Sequence, residues 1–473
     1  MTLIFSNHRF QYELERLFRN FFPPMELKMS TDRADAQGDY CLTEKQELPG
    51  GVSLSVELVC GDKRYSMNRV VPPETPDKEQ EREMSVLLYK ALREYTGHDL
   101  PWGILTGVRP VKVLSKLTDA QALEGLLVSP RKLAIARRIE QVQKPLEASI
   151  PVNSFSLYVS IPFCPTRCSY CSFVSHSVSQ AAARLDEYLQ RMTEEMKQLA
   201  TISRHLGLIP DTVYFGGGTP TVLSAEQLKR LFAALDCFDL SHVREFTVEA
   251  GRPDTITYDK LTAIKEAGVG RISVNPQTMN DSVLKAIGRA HTSAETEQAF
   301  LMAREVGFEV INMDLIAGLP TDDFDSFAAS LDTVCGLSPE NITVHSLALK
   351  RAARLFHEGN ESTSGETERM VDYAHKKLAE CGYVPYYLYR QKNTADNQEN
   401  TGYAKPGTES LYNTYIMEEL QTILAVGAGA STKLVDRSTG RIKRITNHKY
   451  PYEYLDRFTD ILDNKREIFS FFV

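Results

Sequence analysis

Two runs of alternating apolar and polar residues, 52–59 and 63–71, flank Gly61 and Asp62 and predict a β-hairpin that Pro72 and Pro73 terminate. Ahead of it, residues 2–5 predict a short strand and about 9–20 a helix. A charged helix is predicted over 77–96, stopping before Gly97. Loops follow around Pro101–Gly103 and Gly107–Pro110, then two short helices reaching about 147, with Pro151 and Asn153 marking a boundary. From 156 the period changes. Apolar runs predict strands at 156–162, 212–215, 244–250, 270–275, 309–316 and 341–348. Helical patterns separate them near 182–205, 224–236, 258–267, 281–305 and 323–334, with one more at 364–381.

Six strands alternating with six helices predict parallel βα units, and right-handed crossovers curl such units into a partial (βα)6 barrel. Functional residues should then gather after the strands, at their C-terminal edge. The remainder shows a strand-like segment at 386–390, a Gly/Ala segment at 427–430 and a terminal helix around 452–464. The expected fold class is α/β: a parallel core over 151–381, an α+β module over 1–150, and an α+β extension over 382–473 that covers the substrate.

Composition narrows the class. The chain has 473 residues, 42% of them apolar and 25% charged, which excludes wholesale disorder and fibrous repeats. Lys plus Arg is 54 and Asp plus Glu is 62, a net charge of 54 − 62 = −8 that argues against nucleic acid as a partner. No run of about 18 apolar residues exists to span a membrane, and the start has the pattern of neither a signal nor a cleavage site. Eight cysteines are too few for a disulfide scaffold. A reduced, cytoplasmic protein is expected.

Five cysteines are scattered singly and read as buried small hydrophobes. Cys164, Cys168 and Cys171 instead form a C-x3-C-x2-C cluster directly after the first predicted core strand. Three thiolates on a four-iron cube leave one iron open, and an open iron can chelate the amino and carboxylate groups of a methionine moiety. A zinc site with His176 as fourth ligand, or three unrelated buried cysteines, are the other readings of the same spacing.

One βα unit later comes Gly216-Gly217-Gly218-Thr219. This is either a tight turn or a loop whose backbone approaches a ligand and offers N–H groups to it. Glu249, Gln277, Arg289, Asp314 and Ala348 sit at or near successive strand ends. Each has a plain reading as a rim charge or packed residue, but the shared position points to a site. Tyr158 and Tyr170 read as core aromatics or site residues.

The cysteine spacing within TyrValSerIleProPheCys resembles the radical S-adenosylmethionine (SAM) superfamily over 156–350, and in particular the oxygen-independent coproporphyrinogen III oxidase group, which includes heme chaperones. The extra N-terminal module makes the HemZ-type branch the nearest likeness. The resemblance implies a 4Fe–4S cluster on Cys164, Cys168 and Cys171, and SAM held by Tyr158, Tyr170, Gly217, Glu249, Gln277, Arg289, Asp314 and Ala348. Gly218 and Thr219 would face a second SAM. It further implies SAM cleavage to a 5′-deoxyadenosyl radical that takes hydrogen from a tetrapyrrole substrate. The expected reaction is oxidative decarboxylation of coproporphyrinogen III propionates to vinyl groups, giving protoporphyrinogen IX. An electron donor of flavodoxin or ferredoxin type and an electron acceptor of unknown kind would be partners. The alternatives are a heme chaperone, or another radical SAM reaction on a porphyrin such as methyl transfer or ring opening.

Propionates need cations. Arg109, Lys112, Arg252, Lys350, Arg351, Arg354, Arg390 and Lys392 are candidates, and the tyrosines of 386–390 a candidate aromatic wall. Two departures from the family pattern stand out. Phe173 occupies the place of the additional cysteine of the oxidases. The heme motif of the chaperones is missing: the single Trp is Trp102, and the loop 397–403 has no His.

Overall fold

The computed structural model describes all residues except 23–24, 174–175, 351, 359–364, 393 and 473, and the side chains of 176, 357 and 358. The candidate ligand His176 and the candidate cation Arg351 therefore lie outside the described side chains. The chain divides into two compact units, Met1–Arg137 and Arg138–Val473, with the division inside the helix Pro130–Ala148.

The first unit holds a five-stranded sheet. Gly51–Cys60 and Lys63–Val71 pair antiparallel around Gly61, whose φ of +56° suits the tight turn. Tyr40–Leu48 adds a third antiparallel strand, and Thr2–Ser6 then runs parallel to it. Val52, Leu54, Val56 and Leu58 alternate onto the buried face against Leu14, Phe18, Met84 and Leu88. The helix Asp77–Thr96 ends at Gly97 in the left-handed conformation, as the sequence predicts.

The second unit is built on one sheet of eleven strands. Its centre is six parallel strands in sequence order: Ser154–Ile161, Ile209–Gly217, Glu245–Gly251, Arg271–Val274, Val310–Ala317 and Asn341–Ser346. Each is apolar enough to be buried on both faces, as parallel strands packed by crossover helices must be. This is the predicted partial (βα)6 barrel. The segment after 382 supplies the other five strands. Val384–Arg390 and Glu399–Ala404 form an antiparallel pair on the sixth core strand, and Thr422–Val426 runs parallel to the first. Ser431–Val435 and Ile442–Thr446 continue antiparallel from there.

One predicted helix is two. The span 281–305 breaks into Asp281–Ala286 and Ser293–Val306. Gly288 takes φ +77°, and Thr292 with Glu295 forms a capping box that starts the second helix. The break frees Arg289 and His291 from a helix surface. Among the described residues no helix is long and apolar enough to cross a membrane.

Candidate functional site

The C-terminal edge of the six parallel strands surrounds a cavity of about 690 Å³. It is lined by Cys164, Cys168, Cys171, Tyr158, Tyr170, Gly217, Gly218, Thr219, Glu249, Gln277, Arg289, Asp314 and Ala348, so the structure brings every candidate cofactor residue to one place.

The cysteine loop leaves the first core strand and is tied down along its length. Gly218 N–H donates to Ile161 O and Thr219 N–H to Phe163 O, both at 2.8 Å, so the glycine loop is stitched to the base of the cysteine loop. The approach is close: a Cβ on Gly218 would lie 2.5 Å from Phe163 O, and Gly217 holds φ +107°. Gly218→Ala is expected to force the two loops apart and weaken SAM binding about tenfold or more, the scale of one lost hydrogen bond at the upper end of its range. Equilibrium dialysis against SAM checks this. Farther along, Ser169 N–H donates to Ile287 O at 3.0 Å and Leu355 N–H to Ser169 O at 3.0 Å. Thr219 Oγ1 lies 3.6 Å from Cys164 Sγ, within hydrogen-bond range of sulfur. Burial pushes the Cys171 thiol up to about 11, a cost that a bound cation reverses. Among the described residues no three His, Cys, Asp or Glu side chains converge where a single metal ion would sit. Thiols that each bind a different iron of a cube need no such common point.

Glu249 is half-buried near the end of the third core strand and accepts a hydrogen bond from the Tyr214 hydroxyl. Burial and, less strongly, the charge of Asp314 push its carboxyl up to about 7, against the lowering pull of Tyr214, the Gly217 N–H and His345. Asp314 behaves oppositely. Burial works to raise it, but His345, Asn312 and Thr343 hold it below the usual carboxylate range. Asn312 Nδ2 donates to Asp314 Oδ1 at 2.8 Å, and His345 Nε2 lies 3.8 Å from Oδ2. The two carboxyl groups, on the third and fifth core strands, are thus shifted in opposite directions, Glu249 up and Asp314 down.

Gln277 has φ +71°, a strained value for a residue with a Cβ. Its N–H donates to Asp314 O and its C=O accepts Ile316 N–H, both at 2.9 Å, which holds the strain in place. Arg289 is half-buried; Nη1 donates to Asn275 O at 2.9 Å and Nη2 to Tyr170 OH at 3.2 Å. Its Nε and the Asn275 Oδ1 are buried with no hydrogen-bond partner among the described residues. Buried polar groups are normally paired, so this wall suits a polar ligand such as the amino-acid end of SAM. Together with three thiols and a glycine cradle, the residues present fit a cluster and its cofactor.

Several lining residues escaped the sequence reading. Ser273 and Asn275, Asn312 and Asp314, and Thr343 and His345 are pairs of polar residues two apart in otherwise apolar strands. That period-two signal was available, since alternate residues share a face. Tyr214 and Tyr412 stack at 4.3 Å between ring centroids, with Tyr158 6.2 Å from each. Tyr387 and Tyr389 line the same cavity, as do Lys350 and Lys433. Of the other propionate candidates, Arg252 also lines the cavity. Arg354, Arg390 and Lys392 do not line the cavity, and Arg109 and Lys112 belong to the first unit.

A cysteine loop and a glycine loop at the C-terminal edge of a parallel (βα)6 sheet define a radical SAM protein, and the family model described as the Radical SAM superfamily matches residues 158–334. Proteins of that superfamily use a 4Fe–4S cluster and SAM. The chain is 40% identical, over 82% of its length and 81% of the relative's, to the oxygen-independent coproporphyrinogen-III oxidase-like protein HemZ of Bacillus subtilis (strain 168). It is 34% identical to the heme chaperone HemW of the same organism, over 58% of this chain and 70% of that one. Coproporphyrinogen III oxidase (HemN) from Escherichia coli shares the fold, with a TM-score of 0.54 at 23% identity over 68% of this chain and 72% of that one. The chain belongs to the oxygen-independent coproporphyrinogen III oxidase-like family within the radical SAM superfamily.

Proposed function

We propose that the protein is an oxidoreductase of heme biosynthesis that converts propionate side chains of coproporphyrinogen III to vinyl groups, giving protoporphyrinogen IX. The observation that carries this reading is the sharing of one cavity. The thiol loop opens on the same space as a wall of tyrosines and the cations Lys350 and Lys433. The tyrosines offer an apolar wall to the reduced tetrapyrrole and the cations meet its carboxylates, beside the residues that would hold the cofactor. The name of the 40%-identical relative supports the same substrate.

Cys164, Cys168 and Cys171 would hold the cluster. Gly217 would receive the methionine end of SAM and Arg289 its carboxylate, as a guanidinium fork can, while Gly218 and Thr219 would face a second SAM. Glu249 and Asp314 would accept the ribose hydroxyls, Gln277 would bond the adenosine, and Tyr158, Tyr170 and Ala348 would pack against the cofactor. When bound, the cluster and SAM supply one-electron chemistry that removes a hydrogen atom from a substrate carbon. The tyrosine wall orients the macrocycle so that one propionate chain points at that chemistry and keeps water away. The balance is simple. A –CH2–CH2–COO⁻ chain that loses one β-hydrogen atom, CO2 and one electron becomes –CH=CH2. The electron needs an outside one-electron acceptor, and a flavodoxin- or ferredoxin-type donor would reduce the cluster.

The similarity to a heme chaperone supports a second reading, in which the cavity binds heme and the cluster regulates it. The single Trp, Trp102, lies in the first unit, and 397–403 carries no His, which weighs against it. Anaerobic reconstitution followed by assay with coproporphyrinogen III and SAM separates the readings. CO2 release with a vinyl product is expected. SAM cleavage without CO2 eliminates the decarboxylase, and stoichiometric heme binding without a vinyl product favours the chaperone.

A pH dependence follows from Glu249. Its carboxyl is raised to about 7, so below that pH it is neutral and offers nothing to the positive charge of SAM. Above about 7 it is ionised and attracts that charge. SAM affinity is expected to rise with pH below about 7, by about tenfold per pH unit at most, and to level off above it, as linkage to one proton allows. Titration calorimetry from pH 6 to 8 measures the slope, and Glu249→Gln should flatten it.

A further inference from the structure

Arg252 was a candidate cation for a substrate carboxylate, and it lines the cavity. It is only 3% exposed, a depth at which a guanidinium needs both a counter-charge and acceptors for its N–H groups. Nε and Nη2 donate to the two carboxylate oxygens of Asp254 at 2.9 and 2.7 Å, a bidentate pair. Nη1 donates to the Thr166 hydroxyl at 2.8 Å and to the Thr166 carbonyl at 3.2 Å. Four of its five N–H groups are used.

Thr166 lies between Cys164 and Cys168, and its hydroxyl donates in turn to Gly288 O at 3.5 Å. The other end of the pair is anchored. Arg252 O accepts Thr255 N–H at 3.0 Å and the Thr255 hydroxyl at 2.8 Å. The Thr255 hydroxyl meets that of Thr221 at 2.7 Å, and Thr221 Oγ1 donates to Ala250 O at 2.6 Å. The Ser169 and Leu355 bonds hold the cysteine loop only beyond Thr166.

We propose that the Arg252–Asp254 pair is a latch that positions the first half of the cysteine loop, with Arg252 acting on the cluster ligands through Thr166. The inference rests on Cys164, Cys168 and Cys171 being those ligands. A cube needs its three sulfurs preset in distance and angle, and the packing behind a ligand decides how well they are preset. Arg suits the task because its planar fork can meet Asp254 and Thr166 together, which an ammonium cannot.

Hydrogen–deuterium exchange on the cluster-free full chain is the first test. Arg252→Met is expected to speed exchange of the amides of 164–171 about tenfold, the equivalent of about one lost hydrogen bond. Exchange in Thr422–Val426 should stay unchanged. Arg252→Lys should fall between, because it keeps the charge without the fork. In reconstituted protein, Arg252→Met should retain the cluster but shift its midpoint potential and alter its electron paramagnetic resonance signal. Unchanged exchange in a folded Arg252→Met chain overturns the latch, and so does changed exchange with an unchanged potential and signal. Should Arg252→Met fail to fold, Thr166→Val decides: faster exchange confined to the stretch around Cys164–Cys168 supports the latch, and unchanged exchange overturns it. A wild-type chain that takes up no iron would refute the cluster reading itself while leaving the exchange result to stand on its own.

Discussion

Cys168→Ala, purified and reconstituted without oxygen, is expected to lose its iron and sulfide and to cleave no SAM. Cys168 is the most buried of the three clustered thiols, at 8% exposure, and no fourth described side chain converges there to replace it. Removing even an outer partner of a metal ligand costs about 10–100-fold, so removing a ligand should lower SAM cleavage by more than about a hundredfold. The fold should survive, because Cys168 is small and its backbone bonds belong to the loop and not to the sheet. The wild type should hold about four irons per chain. Iron and sulfide analysis with a circular-dichroism spectrum gives the answer. A Cys168→Ala chain with full iron would show that the three thiols do not share one cluster. Cys237→Ala, a half-buried thiol outside the cavity, is the control and should change nothing.

The second large effect is on stability. Lys465 Nζ lies 3.1 Å from Glu195 Oε1, and neither side chain is exposed at all. Lys465 also donates to Ala425 O at 2.6 Å and to Thr432 Oγ1 at 3.2 Å. Glu195 accepts Gly427 N–H at 2.9 Å, Asn447 Nδ2 at 2.7 Å and Tyr454 OH at 2.7 Å. Burial pulls the Lys465 amine down and Glu195 pulls it back. Lys465→Met keeps the volume but leaves the Glu195 carboxylate buried without a counter-charge. Breaking such a pair costs about 3–5 kcal/mol, whereas replacing both members is far milder. Urea unfolding read by circular dichroism should show a loss in that range for Lys465→Met and recovery of more than half of it in Glu195→Gln/Lys465→Met. A loss under about 1 kcal/mol would mean that the pair contributes little. The same network fixes the turn at Gly427, where a Cβ would lie 2.5 Å from Ser160 O. Gly429 and Ser431 beyond that turn line the cavity. A loosened pair should therefore weaken the site as well as the sheet.

The six core strands were legible because strands buried on both faces read as continuous apolar runs, and each was bounded by a helix of clear period. The five strands after 382 were not, apart from 384–390. Thr422–Val426 is as apolar as the core strands, but it pairs with residues 155–159, more than 260 positions away. No local pattern announces a partner at that distance. The helix break at 287–292 was missed because Gly288 and Thr292 are weak signals inside a long amphipathic stretch. Their effect appears only when Arg289 must turn inward to meet Tyr170.

The chemistry divides in the same way. Cys164, Cys168 and Cys171, and the glycines of 216–218, are recognisable because a cluster loop and a cradle are short objects whose spacing is written within a few residues. Which cations are committed is a different matter. Arg252 looked available for a substrate carboxylate; that Asp254, two residues on, closes on its guanidinium was within reach of the local sequence, but that Thr166, 86 residues earlier, takes the rest of the fork was not. Asn275 and His345 became site residues only when strand pairing set them beside Arg289 and Asp314. By itself the sequence determined the candidate ligand set, the candidate cradle and the alternation of strand and helix, all of which depend on short-range spacing. The tertiary structure alone decided which buried charges neutralise one another and which polar groups are left unpaired for a ligand, because electrostatics and hydrogen bonding act through space and not along the chain.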